Sequence, residues 1–229
     1  AGMSAESGIS TFSDAGGLWD KYPVEQVATP EGYARNPELV INFYNERRKQ
    51  LLDVVPNAGH LGVADLERDF NVTVVTQNVD NLHERAGSTH VIHLHGELTK
   101  VCSSRDPYNP HFVKELAPEE YEVKLGDKAG DGTQLRPFIV WFGESVPEIE
   151  TAIRYVEQAD IFVIIGTSLN VYPAAGLLNY VPRAAEVYLI DPKPVDTHVM
   201  RPIHVIQKGA SEGVKELKAL LTVTQPPLP

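Results

Sequence analysis

The chain has 229 residues, 42% hydrophobic and 22% charged, with a net charge of −11. That suits one soluble globular domain, or one domain with a smaller insert. The charge excludes the basic footprint of a nucleic-acid binder but leaves room for a lysine-rich protein substrate. No apolar run approaches the ~18 residues of a membrane helix. The single cysteine, Cys102, excludes an internal disulfide and fits a cytoplasmic protein.

In chain order, Ala1-Gly2-Met3-Ser4-Ala5-Glu6-Ser7-Gly8 reads as a phosphate-binding turn opening a helix over 4–10. Gly2, Ser4 and Ser7 can offer N–H groups and hydroxyls to a pyrophosphate; an ordinary glycine turn with a serine cap is the alternative. Such a turn should follow a buried strand, so an apolar strand is expected before residue 1. Residues 11–36 contain Gly16-Gly17, Pro23 and Pro30 and predict a long loop. Pro37 followed by Leu39, Val40, Phe43, Leu51 and Leu52 predicts a helix over 37–53. On it Tyr44 and Arg47, at i and i+3, share a face and can read a carboxylate, or else form a buried tyrosine beside solvated charge. A second helix is expected over 57–70, capped by Asn57.

Val72 to Val75 predicts a buried strand, and Gln77, Asn78 and Asp80 follow it. Amide and carboxylate groups at the carboxyl end of a strand mark the ligand side of an open α/β sheet, although the same residues can serve as Asx turns. Val91–Leu94 predicts a short strand delivering His93, His95 and Gly96, with His83 nearby. Histidine can act as a general base near neutrality. No cysteine pair accompanies these histidines, so no metal is expected among them. Residues 102–136 read as an irregular insert. Strands are predicted over 138–142, 161–165, 187–190 and 203–206, and helices over 148–158, 173–180 and 212–221, with a disordered tail at 225–229. Gly166-Thr167-Ser168, after the most apolar strand, suits a ribose or phosphate, or a turn and N-cap. The alternation implies a Rossmann-like α/β fold, a doubly wound parallel sheet.

Together these motifs resemble the sirtuin family of NAD-dependent protein-lysine deacylases. The resemblance rests on Ala1 to Ile9, Gln77-Asn78-Val79-Asp80, His95-Gly96-Glu97, Phe142-Gly143-Glu144 and Gly166-Thr167-Ser168, in that order. It implies a single catalytic domain. The larger Rossmann-like part takes about 1–17, 56–98 and 138–229, and the smaller inserted part 18–55 and 99–137. It implies NAD held by Ala1, Gly2, Ser4, Ser7, Phe12, Gln77, Asn78, Asp80, Gly166, Thr167, Ser168 and Asp191. Asp80 would hold the nicotinamide carboxamide, and Asn78 the ribose and a water. An acyl-lysine peptide would add a strand between Val140, Trp141, Phe142, Gly143 and Glu144 on one side and Val171 and Tyr172 on the other.

In the mechanism the resemblance implies, the acyl oxygen attacks the ribose C1′ and expels nicotinamide. His95 then serves as general base, with Asn78 the second catalytic residue, and 2′-O-acyl-ADP-ribose results. The Tyr44-x-x-Arg47 pair, with Ala28-Thr29-Pro30-Glu31-Gly32, resembles the subgroup that removes succinyl, malonyl and glutaryl groups, and deacetylation can coexist. Two departures stand out. One cysteine replaces two Cys-x-x-Cys pairs, so no zinc is expected, and packing of Tyr108, Phe112 and Tyr121 should hold the small part. Ser13 replaces an arginine of the cofactor loop, which should slow turnover. Other outcomes on the same fold are NAD glycohydrolysis, ADP-ribosyl transfer, or NAD or ADP-ribose binding without turnover. A monomer without nucleic-acid or membrane partners is expected.

Overall fold

Asn36 and Pro37 start helix α4 (Pro37–Leu51): the Asn36 side chain accepts the Leu39 N–H, and Pro37 brings no N–H to orphan. Helix α5 (Ala58–Asp65) opens on a reciprocal box in which Asn57 accepts from Gly59 and His60 while the His60 ring accepts the Asn57 N–H. The computed structural model describes residues 1–9, 21–167, 174–195 and 201–223. Among them the remaining helices are α1 (Gly2–Ala5), α2 (Val24–Val27), α3 (Pro30–Arg35), α6 (Leu82–Ala86), α7 (Ile149–Val156) and α8 (Ala210–Val223).

Two parallel blocks make the large layer. β1 (Val74–Thr76) pairs with β2 (Val91–His93), and β6 (Ile161–Ile165), β7 (Glu186–Ile190) and β8 (His204–Ile206) pair in sequence order. Along β7 the side chains alternate between two cores. Val187 and Leu189 join Ala152, Val156, Leu177 and Leu178 on the α7 side. Tyr188 and Ile190 join Val63, Leu66, Val214 and Leu217 on the side of α5 and α8. Helices on both faces of parallel strands make this the expected doubly wound architecture. Among the described residues β1 and β6 do not pair, and a cavity of about 690 Å3 is lined by residues 72–77 and 161–165.

A smaller antiparallel sheet, β4-β3-β5, stands beside it, built from β3 (Gly96–Ser103), β4 (Val113–Glu115) and β5 (Leu135–Ile139). Gly96 is required where β3 meets β5. Its φ is +87°, and a Cβ there would lie 2.1 Å from the Phe138 carbonyl oxygen.

Several expectations change. Residues 102–136 are not wholly irregular, because they complete β3, supply β4 and begin β5; the three-residue β4 is too short to show alternation. In the expected loop 11–36, Pro30 starts α3 rather than breaking the chain, with Thr29 accepting the Gly32 N–H. Neither β3 nor α6 was expected. Helix α1 starts at Gly2 rather than residue 4, and the strand expected at 138–142 is β5, which ends at Ile139. The tail 225–229 lies outside the described residues.

Packing alone does not hold the small part. The buried Ser103 hydroxyl donates to Asp131 and accepts the Arg105 and Asp106 N–H groups. Cys102 is fully buried, and its thiol is pushed up to about 12 by burial. Arg136 stacks 3.8 Å from the Trp141 ring and forks onto Glu144 through two bonds of 3.1 Å. Glu144 also accepts from the Trp141 N–H and Tyr108 Oη.

Removing one partner of a buried, forked ion pair strands the other charge. Glu144→Ala is therefore expected to cost about 3–5 kcal/mol, a fall in Tm of roughly 6–20 °C, while a Glu144→Met/Arg136→Met double variant loses less. An unchanged melting temperature for Glu144→Ala would free Glu144 from this structural role.

Candidate active site

Beyond β1 the chain turns through Gln77, Asn78, Val79 and Asp80. Four consecutive carbonyls, from Thr76 to Val79, are each taken by a donor on the segment 93–98. The Leu94 N–H meets the Thr76 oxygen at 3.0 Å and the Leu98 N–H meets Val79 at 2.8 Å. Between them the His95 Nδ1 is 3.2 Å from the Gln77 oxygen and the His93 Nδ1 3.1 Å from the Asn78 oxygen. A carbonyl only accepts, so both Nδ1 atoms carry hydrogen. This leaves neutral His95 with an unprotonated Nε2, the tautomer a general base needs. Burial lowers the His95 pKa, against the Gln77 hydrogen bond, so the neutral ring predominates at pH 7.

Ser4 lies at the centre of the polar cluster and is 2% exposed. Its hydroxyl donates to Asp80 Oδ2 at 2.7 Å and accepts from Asn78 Nδ2 at 3.2 Å. His60 accepts the Asn57 N–H at Nδ1, so its Nε2 carries hydrogen and donates to Ser4 at 3.3 Å. One donor and two acceptor positions are thereby filled. The Ser4 hydroxyl, read from the sequence as a pyrophosphate ligand, is in this structure engaged by Asp80, Asn78 and His60. Ser7 likewise accepts from Asn57 Nδ2. The other Asp80 oxygen accepts the Leu82 N–H, so the carboxylate is held at both ends.

The start of α1 lies against the end of β6. The Gly2 N–H donates to the Gly166 oxygen at 3.0 Å, and a Cβ on Gly2 would sit 2.7 Å from the Gly166 Cα. Gly166 has φ +65°, and a Cβ there would lie 2.6 Å from the Met3 nitrogen. Backbone approach this close is possible only with glycine on both sides. The Gln77 amide donates to Thr167 Oγ1 at 3.3 Å, tying the β1 end to the β6 end. Ala1 lies at the start of α1, as its N-cap residue. Asp191 closes β7, capping the Lys193 N–H.

On α4, Tyr44 Oη donates to the Val27 oxygen at 2.9 Å and accepts from Trp141 Nε1 at 3.0 Å. Its donor is spent, and burial raises its pKa well above the usual tyrosine value. Arg47 differs: among the described residues its Nε and Nη1 are buried without a hydrogen-bond partner, and Nη2 is 3.5 Å from Glu46. Burial lowers its pKa against the pull of Glu46 and Tyr22. Of the expected peptide-binding residues, Trp141 is 1% exposed and Glu144 is engaged with Arg136. Phe142 is 61% exposed, and the exposed Gly143 has φ +90°. Val140 is half-buried, its N–H on the His95 oxygen.

The structure therefore brings Gln77, Asn78, Asp80, Ser4, His95, Gly2, Gly166 and Thr167 together, with Tyr44 and Arg47 on the small part. Phe12, Ser13, Ser168, Val171 and Tyr172 lie outside the described residues. Sequence reasoning missed His60, Asn57 and Glu84 as members of the cluster. The Asn57–His60 spacing carried the only signal, that of a capping box with histidine as the third helical residue.

Comparison with known proteins agrees with this geometry. The Sir2 family model matches residues 1–173. An NAD-dependent protein deacylase of Bacteroides thetaiotaomicron is 85% identical over 221 residues, covering 96% of this chain and 94% of the relative. One of Helicobacter pylori is 48% identical over 217 residues, covering 95% and 92%. A Sir2 homologue solved with ADP-ribose superposes with a TM-score of 0.84 at 35% identity, covering 99% of this chain and 92% of that one. One solved with NAD gives 0.82 at 38%, covering 97% and 87%. The chain belongs to the Sir2 family.

Proposed function

We infer that the chain removes acyl groups from protein lysines at the expense of NAD. The observation that carries this reading is the His95 ring, held by the Gln77 carbonyl so that Nε2 is its basic nitrogen, beside the Asn78 and Asp80 side chains. The close Gly2–Gly166 contact and the polar ends of β1, β6 and β7 suit a dinucleotide laid across the strand ends. NAD supplies an electrophilic ribose carbon and a nicotinamide leaving group.

The chain's own residues do the rest. Asp80 and Asn78, steadied by Ser4, orient the carboxamide and ribose ends. Gly2, Gly166 and Thr167, with Ala1, Gln77 and Asp191, line the path for the remainder of the dinucleotide. His95 Nε2 takes a proton from a ribose hydroxyl. A base of lowered pKa is unprotonated above that pKa, so activity should rise with pH below about 6.5 and then level.

The acyl group would meet α4. A half-buried guanidinium with two unsatisfied donors calls for an anion, which supports preference for acyl groups ending in a carboxylate. Because the Tyr44 hydroxyl is engaged, Arg47 carries this preference and Tyr44 braces the Trp141 wall. Phe142 and Gly143 present the exposed backbone against which a peptide strand can lie.

Two measurements test these roles. Mass spectrometry of NAD incubated with acylated lysine peptides should show acyl-ADP-ribose, and His95→Ala should lower kcat by about 10²–10⁴. NAD loss independent of peptide would select glycohydrolysis instead. Arg47→Met should lower kcat/KM for a succinyl-lysine peptide by roughly 10–100-fold and leave the acetyl peptide within about threefold. Equal losses on both peptides would remove the acyl-selecting role.

A further inference from the structure

His93 takes no part in the proposed chemistry, yet it is buried in the turn that supports it. We propose that His93 is a positioning residue, held as an imidazolium between Glu84 and the Asn78 carbonyl, whose charge sets the affinity of the Asn78 turn for the ADP-ribose part of NAD. The inference rests on the deacylase reading for the identity of the ligand and on the geometry of this turn for everything else.

Each ring nitrogen faces acceptors. His93 Nε2 lies 2.9 Å from Glu84 Oε2 and 3.8 Å from Glu97 Oε1, and Nδ1 lies 3.1 Å from the Asn78 oxygen. An ionised carboxylate and a carbonyl have no hydrogen to give, so both short bonds coexist only when both nitrogens are protonated. The side chain is 6% exposed, which excludes water as a ready substitute. Once the ring loses a proton, one hydrogen remains for two acceptors. The charged acceptor makes the stronger bond, so Glu84 keeps the hydrogen and the Asn78 carbonyl is released. Of the four donors that hold carbonyls 76–79, two are backbone N–H groups that cannot titrate, His95 already serves as the base, and His93 is the one whose hold depends on pH.

The charged neighbours favour the cation. Glu84 faces the ring from α6 and Glu97 from β3, with Lys100 Nζ on the far oxygen of Glu97 at 2.8 Å. His83 on α6, pushed down to about 4 mainly by burial, is neutral at pH 7 and adds no opposing charge. Burial alone would lower the His93 pKa, but the Glu84 hydrogen bond and the Glu84 and Glu97 charges outweigh it and raise it above its ordinary 6.5. Glu84 is lowered correspondingly, burial being outweighed by its bond to His93. Because the folded-state pKa is raised, the contribution is complete below 6.5 and is lost as pH rises through the raised value.

The test is ADP-ribose affinity by calorimetry between about pH 5.5 and 9, with deacylation kinetics in parallel. In the unaltered protein the affinity should fall by about fivefold, the worth of one hydrogen bond, on the alkaline side, and KM for NAD should rise with it. Glu84→Gln keeps the shape and removes the charge, so the break should move at least about one pH unit lower. His93→Gln should show the weaker affinity at every pH, no break, and kcat within about twofold.

An affinity independent of pH in the unaltered protein overturns the proposal. So does a break that Glu84→Gln leaves in place, which would assign it to another titrating group. Pure destabilisation would lower the Tm of His93→Gln without moving the Glu84→Gln break, and that result also overturns it. Absence of deacylation alongside a normal pH break in ADP-ribose binding would sink the deacylase reading and leave this one standing.

Discussion

A strand that ends in the interior leaves its last carbonyls without a ladder, and each buried carbonyl needs a donor. Here β1 stops at Thr76, and the segment from β2 into β3 supplies donors to four carbonyls in a row. Because the main chain of the turn is held on that side, Gln77, Asn78 and Asp80 can turn their side chains towards Thr167 and Ser4. The same bonds fix the ring orientation of both histidines. One set of contacts thus shapes the polar turn after β1 and chooses the protonated nitrogen of His95.

Hydrogen-bond saturation separates supporting residues from those available to a ligand. Ser4 has every position filled, and Glu144 accepts from Arg136, Trp141 and Tyr108. Such groups hold geometry, since a fully satisfied polar network is rigid. Arg47 is the contrast. It is desolvated like Arg136, but among the described residues it lacks a forked carboxylate and two of its nitrogens have no hydrogen-bond partner. The two arginines therefore differ: Arg136 ties Trp141 and Glu144 together, and Arg47 stands outside that network.

Much of this was legible in the chain. The apolar run 161–165 announced a parallel strand, although only Ile164 of it is buried. Asn36-Pro37 and Asn57 announced their helices through capping chemistry, and the polar residues after β1, with His95-Gly96, marked the ligand end of the sheet. Less legible were the short elements. β4 has three residues and two exposed charged side chains, so no period can show, and α3 begins at a proline that in sequence resembles a breaker. The sirtuin resemblance named a set of site residues, but it could not say which hydroxyls and carboxylates would be spent on one another.

Sequence by itself determined the class of fold, the position of the polar strand ends and the family, because each rests on local pattern or on residues adjacent in the chain. Tertiary structure decided the rest. His60 meets Ser4 across 56 positions, Ser4 meets Asp80 across 76, and Trp141 meets Tyr44 across 97. Whether a hydroxyl is free, whether an arginine is paired and which tautomer a ring adopts depend on partners that only folding brings within hydrogen-bond distance, and no local period in the chain records them.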